Sequence, residues 1–160
     1  MIAVGQKIDL RFTLKIVQAG DVRTVGFGDL LRECARPVVV SVYMRNNTGS
    51  CDRQVDSLVE HAAELDAMGY GLIALSRDTG GSHLKYAAKK QIPFILASDP
   101  GDTFARATNS LVSKSMYGRT FEGPARAAYV IACDGTVLAV IEKVDTKAHF
   151  AQIKAVLAAL

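Results

Sequence analysis

Cys51 is the residue of this chain best placed to act as a nucleophile. It follows the polar turn Arg45-Asn46-Asn47-Thr48-Gly49-Ser50, which itself follows the apolar, β-branched stretch Val38 to Tyr43, and it opens a run with helical spacing. Backbone N–H groups left unpaired at a helix start carry positive potential, which stabilises a thiolate and lowers a cysteine pKa. Thr48, three residues earlier, supplies a hydroxyl that can donate to the thiolate or to a substrate oxygen. Elsewhere a cysteine often serves as a small buried apolar side chain; the strand, loop and helix-start setting is what argues for chemistry at this one. Exchange by a C-x-x-C pair is excluded, because position 54 is Gln54. The histidines, His61, His83 and His149, have no zinc-site spacing, so no metal is expected.

The elements around Cys51 follow from apolar periodicity. Val38 to Tyr43 reads as a strand covered on both faces and central in its sheet. Val55, Leu58, Val59, Ala62, Leu65 and Met68 form a helical stripe that Gly69 closes. Upstream, Ile8 to Val17 alternates as a half-exposed strand that turns at Gly20-Asp21 into Val22 to Val25, and Asp29 to Ala35 is a short helix. Downstream come a buried strand from Tyr70 to Ser76, a helix capped by Ser82 and reaching Gln91, a strand from Phe94 to Ala97 and a short helix from Asp102 to Ala107. Ala127 to Cys133 and Thr136 to Glu142 are strands joined by Asp134-Gly135, a dipeptide suited to a two-residue type I′ turn, and Thr146 to Leu160 closes the chain as a helix. Alternating β and α elements ending in a hairpin and a helix predict an α/β, thioredoxin-like fold. Its central sheet is mixed, with flanking helices, an N-terminal β-hairpin extension and an inserted segment. No repeat or proline-rich linker interrupts the chain, so residues 1–160 read as a single domain.

Composition narrows the classes further. With 160 residues, 49% of them hydrophobic, the chain can bury a core without covalent help, and disorder is excluded. The longest apolar run, Pro37 to Met44, is far short of the roughly 20 residues that span a bilayer. The N-terminus lacks the apolar core of a signal peptide and cysteine is sparse, so the expected location is a reducing cytoplasm. A net charge of +3 without a basic face interleaved with aromatics gives no sign of nucleic-acid binding. Lys85, Lys89 and Lys90 read as a solvated helix face.

The segment Val40 to Cys51 resembles the peroxidatic-cysteine region of peroxiredoxins, in the bacterioferritin comigratory protein (PrxQ) branch of the alkyl hydroperoxide reductase / thiol-specific antioxidant family. Of its pattern P-x-x-x-T-x-x-C, Thr48 and Cys51 match and Met44 replaces the proline. The likeness continues through Leu75-Ser76-Arg77-Asp78 with Ser82-His83, Ser98-Asp99 and Met116-Tyr117-Gly118-Arg119. It ends in Arg126-Ala127-Ala128-Tyr129-Val130-Ile131, which is similar to the family's R-x-T-F-x-I. The resemblance implies a thiol-dependent peroxidase acting on hydrogen peroxide and alkyl hydroperoxides through a Cys51 sulfenic acid. Arg126 is then the cation beside the reactive sulfur, and neither haem nor any other cofactor is needed. Met44 and Gln54, the latter in place of a glutamate common in the branch, fall in the substrate pocket.

In that branch a second cysteine in the same chain commonly resolves the sulfenic acid. Its two usual places are held here by Asp56 and Ala87. Cys34 precedes the central strand that Cys51 follows, and Cys133 lies seven residues beyond Arg126 on an extended strand. Strand rise puts each about 20 Å from Cys51, whereas a disulfide needs Cα atoms within about 7 Å. The expectation is a one-cysteine cycle completed by an external thiol: thioredoxin, glutaredoxin or a low-molecular-weight thiol. The protein itself is expected to be a monomer or homodimer. The alternative is a redox-sensing or interaction protein that keeps the fold with little turnover.

Overall fold

The structure is a computed structural model that describes the backbone of residues 1–160 and every side chain other than that of Met116. The N-terminal hairpin pairs β1 (Thr13–Gln18) with β2 (Asp21–Gly26), and α1 (Phe27–Cys34) leads to β3 (Val38–Val42). Then come α2 (Gly49–Ala67), β4 (Gly71–Ser76), α3 (Gly80–Lys90), β5 (Ile95–Ser98) and α4 (Thr103–Ala107). A second hairpin, β6 (Leu111–Met116) and β7 (Arg119–Pro124), precedes β8 (Ala128–Ile131), β9 (Val137–Ile141) and α5 (His149–Ala158).

Seven strands form one sheet in the order β2-β1-β5-β4-β3-β8-β9. Parallel pairing is confined to β3–β4 and β4–β5; β1 and β8 join these strands antiparallel, so the sheet is mixed as expected. β3 is buried at all five residues because both sheet faces are covered. It is an interior strand, although the middle one of the seven is β4. One face packs Val38, Val40, Val42, Ile73 and Ile131 against Phe27, Leu30 and Leu31 of α1 and Phe104 of α4. The other packs Val39, Ala74, Leu96 and Val130 against Val55 and Leu58 of α2 and Phe150, Ile153 and Leu157 of α5. Strand alternation therefore sorts side chains into two apolar layers, one per face.

Several boundaries differ from the periodicity reading. Residues 8–12 do not join β1: Ile8 N–H donates to the carbonyl of Gly135 at 3.0 Å, and Lys7 bridges to Thr136, so this stretch covers the turn between β8 and β9. Helix α3 is capped by Thr79, whose hydroxyl oxygen accepts from Ser82 N–H at 3.1 Å, rather than by Ser82; the two glycines fit the first turn. Asp134-Gly135 does not form a type I′ turn, because only Gly135 has positive φ (+91°); Gly135 N–H donates back to Ala132 O at 2.9 Å, which makes a three-residue loop with a bulge. The I′ geometry falls instead at Tyr117-Gly118, both at positive φ, between the paired residues Met116 and Arg119. That turn organises residues 111–124, for which periodicity predicted no element.

The lysine face of α3 is only partly solvated. Lys89 Nζ donates to Asn47 Oδ1 at 2.7 Å and Lys90 Nζ to Asp56 Oδ1 at 2.8 Å, which ties α3 to the loop before α2 and to α2 itself. Tyr86 adds a third tie, donating to Asp52 Oδ1 at 2.6 Å.

Candidate active site

The site forms where β3 ends and α2 begins. Thr48 is the N-cap residue, with extended φ and ψ, and Gly49 is the first helical residue, so Cys51 falls in the first turn as its spacing predicted. The Thr48 side chain does not cap the helix. Its hydroxyl donates to the Arg45 carbonyl at 2.9 Å, which closes the loop on itself. The loop is held from three sides: Asn46 N–H donates to Asp78 Oδ2, between β4 and α3, at 3.0 Å, Asn46 Nδ2 lies 3.2 Å from Nδ1 of His83 on α3, and Tyr43, just after β3, donates to Asn46 Oδ1 at 2.5 Å. A loop anchored in this way through its buried Asn46 pre-orients the sulfur rather than leaving it on a mobile segment.

Cys51 is 1% exposed. Burial pushes its thiol up, yet the net displacement is downward: the Thr48 hydroxyl, the backbone of Arg45 and Met44 and the charge of Arg126 together outweigh it. The Thr48 hydroxyl has one proton, which in this structure goes to Arg45 O, so its help to the sulfur requires the hydroxyl to turn toward a thiolate once one has formed. The other two cysteines differ. Cys34 is pushed up, chiefly by burial and then by the charge of Glu33. The pairing of Val38 with Ile131 puts Cys34 and Cys133 at the opposite end of β3 from Cys51. The strand itself covers about 16 Å of that interval.

Arg126, just before β8, reaches the same helix start. Val42 N–H donates to Ala127 O at 2.9 Å, and the antiparallel register pairs Ser41 with Ala128, which aims Arg126 toward the end of β3. Its guanidinium donates through Nη1 to Gln54 Oε1 (3.1 Å) and through Nη2 to Ser50 Oγ (3.2 Å), one partner on either side of Cys51 in sequence. Gln54 is wholly buried, and its Nε2 donates to Ser41 Oγ at 2.9 Å and to the Val42 carbonyl at 3.1 Å. Met44 is half-buried, with Lys114 Nζ 2.6 Å from its sulfur. All five residues singled out from sequence, Cys51, Thr48, Arg126, Met44 and Gln54, thus meet at one helix start.

Periodicity missed other members of the site. Lys114, on the β6–β7 hairpin, is held below the usual lysine range by burial and by the charges of Arg126 and Arg77. The Tyr117-Gly118 dipeptide is the one signal that could have placed that hairpin. Ser41 was hidden inside an apolar strand, and nothing in the sequence near His149 connects it to Cys51. An open groove of about 990 Å³ runs from Arg126 along Lys114, Val112, Val144 and Lys143. A second cavity of about 520 Å³ lies at the opposite sheet end, around Cys34, Arg36 and Phe94, and its one thiol is the raised one. No helix is long and apolar enough to cross a membrane, and the described residues contain no cluster of three metal-binding side chains.

Comparison with known proteins gives the family and the fold. A sequence model of the AhpC/TSA family matches residues 4–140. Peroxiredoxin Bcp of Xanthomonas campestris is 30% identical over 123 residues, which cover 77% of this chain and 75% of that one. A solved structure of Xanthomonas campestris peroxiredoxin Q matches with a TM-score of 0.84 at 23% identity, over 99% of both chains. The structure of peroxidoxin BcpB from Mycobacterium tuberculosis matches with a TM-score of 0.79 at 24% identity, over 100% of this chain and 99% of that one. The shared fold is the thioredoxin-like arrangement expected from the order of elements.

Proposed function

The chain belongs to the AhpC/TSA family, in its Bcp/PrxQ peroxiredoxin branch, and from that membership we propose a thiol peroxidase in which Cys51 is the reacting sulfur and an external thiol completes the cycle. The observation that carries this reading is the bracketing of Cys51 by Arg126, which donates to Ser50 on one side and Gln54 on the other, at a helix start where Thr48, the backbone of Arg45 and Met44 and Arg126 itself lower the thiol. In the first step the Cys51 thiolate attacks the terminal oxygen of a hydroperoxide. The O–O bond breaks, the departing oxygen takes a proton and leaves as water or an alcohol, and the sulfur holds a sulfenic acid. Arg126 offers fixed N–H donors to the negative charge that develops on the peroxide oxygens, and Thr48 a rotatable hydroxyl. Met44 touches Lys114, and Lys114 and Arg126 both line the open groove, which is the route we assign to substrate.

The return step needs a thiol from outside the chain. Asp56 and Ala87 occupy the places where the branch commonly keeps its second cysteine, and Cys34 and Cys133 are a strand length away. An external thiol displaces water from the sulfenic acid to give a mixed disulfide, and a second thiol releases Cys51 and leaves as a disulfide. Thioredoxin, glutaredoxin and a low-molecular-weight thiol all fit this chemistry, in the cytoplasm. Cys51→Ser abolishes peroxide-dependent thiol oxidation on this reading, and a variant that kept it would end the assignment. Intact mass after one equivalent of peroxide tests the cycle type: gain of one oxygen supports it, and loss of two hydrogens within one chain overturns it.

A further inference from the structure

We propose that Ser41 and His149, through Gln54, are positioning residues that hold the Arg126 guanidinium against the Cys51 site. The inference rests on the reading of Cys51 and Arg126 given above. The four side chains form one continuous hydrogen-bonded line: His149 Nε2 to Ser41 Oγ, 2.8 Å; Ser41 Oγ to Gln54 Nε2, 2.9 Å; Gln54 Oε1 to Arg126 Nη1, 3.1 Å. Ser41, Gln54 and His149 are all 0% exposed, and the line crosses an otherwise apolar layer containing Val39, Val55 and Phe150.

Proton accounting gives the line a single direction. A guanidinium only donates, so Gln54 must present its carbonyl oxygen to Arg126 and its amide nitrogen inward. That nitrogen finds two acceptors, the Val42 carbonyl and Ser41 Oγ. Ser41 Oγ accepts from Gln54, and the one acceptor within reach of its own proton among the described residues is His149 Nε2; sending the proton there, with His149 neutral and protonated on Nδ1, is the arrangement that leaves the hydroxyl paired. Burial, with a contribution from the charge of Arg126, favours that neutral ring. Reversing the line would point the Ser41 proton at the Gln54 amide, turn the amide over, and bring its NH2 against Arg126.

The line is costly to keep, which argues for a role other than stability. His149 Nδ1 is buried with no partner among the described side chains, and an orphaned buried donor disfavours folding. An apolar pair at 41 and 149 would avoid that cost, but it would leave one face of the Gln54 amide unheld, with only the Val42 carbonyl to orient it.

The test compares Ser41→Thr with Ser41→Val, which add the same volume to β3 and differ by the hydroxyl alone. Oxidation of Cys51 by hydrogen peroxide is followed by quenched-flow mass spectrometry, and thiol ionisation by the pH dependence of alkylation. The Thr variant should oxidise at close to the parent rate, and the Val variant about tenfold more slowly with its alkylation midpoint moved up, the scale of a displaced orienting group. Ser41→Ala, which only removes an atom, should follow the Val variant and replaces it if the added methyl prevents folding. Equal rates and midpoints for the Thr variant and for the variants lacking the hydroxyl overturn the proposal. Arg126→Met separates the two failures: if it does not slow oxidation, the Cys51–Arg126 reading itself is wrong, whereas if it does and Ser41 does not matter, only the positioning line is wrong.

Discussion

Replacing Arg126 by methionine removes the cation while keeping an apolar stem of similar reach, and the structure sets the size of three consequences. First, a fixed donor aimed at developing negative charge contributes roughly 100-fold to 1000-fold in rate. Arg126 is only partly buried, so water will replace some of that contribution, and the expected loss is near the lower end, about 100-fold. Second, the Cys51 thiol should rise, since Arg126 is among the groups that pull it down. Third, Gln54 Oε1 loses its donor at a fully buried residue, which costs stability by about 1–3 kcal/mol. Arg126→Lys keeps the charge but replaces a planar fork by a point donor that cannot hold Ser50 and Gln54 together, so roughly a tenfold loss is expected. The chain has no tryptophan, so the rate of sulfenic acid formation is best read by quenched-flow mass spectrometry with excess hydrogen peroxide. A methionine variant that melted earlier yet oxidised within about threefold of the parent would make Arg126 structural only and refute the reasoning.

The second prediction concerns acid stability. His149 is held at about 4, against 6.5 for a free ring, mainly by burial and also by Arg126, with Gln152 acting in the other direction. The fold therefore keeps the ring neutral while the unfolded chain takes up a proton, and stability is lost as pH falls from 6.5 through about 4. At 1.4 kcal/mol per pH unit this amounts to about 3 kcal/mol, and denaturant titrations of His149→Phe at pH 7 and pH 4 should lack that part of the slope. Tyr129→Phe should be neutral or stabilising by about 1 kcal/mol, because the Tyr129 hydroxyl is buried without a partner while Thr108 and Ser110 bond each other at 2.8 Å; a clear drop in melting temperature would contradict this. Gly135→Ala should cost about 2 kcal/mol in thermal melts, since φ is +91° and the added Cβ would stand 3.1 Å from Leu10 and 3.3 Å from the Ile8 carbonyl. Cys34→Ser and Cys133→Ser, singly and together, should leave Cys51 oxidation and its one-oxygen mass gain unchanged; loss of either would show that a distant thiol reaches the site.

The placement of Cys51 was legible because it depends on local order. The β-branched run Val38 to Tyr43, the polar turn and the stripe beginning at Val55 each report their own secondary structure, and together they put a thiol at a helix start. Turn types were less legible, because a dipeptide such as Asp134-Gly135 is compatible with several loops and the segment 6–10 packed over it selects one. The neighbours of Cys51 come from distant parts of the chain. Arg126 meets Gln54 across 72 residues, and His149 meets Ser41 across 108. Family resemblance supplied Arg126; nothing in periodicity supplied Ser41 or His149. A buried serine in an apolar strand gives no sign of its partner until the antiparallel register of β8 on β3 and the docking of α5 are in place. Sequence alone determined that a cysteine stands at a helix start beyond the end of an interior strand, since helix starts and buried strands follow from nearest neighbours. The tertiary structure alone decided which hydrogen-bond donors surround that sulfur and in which direction they point, since those contacts exist only once the sheet has closed around them.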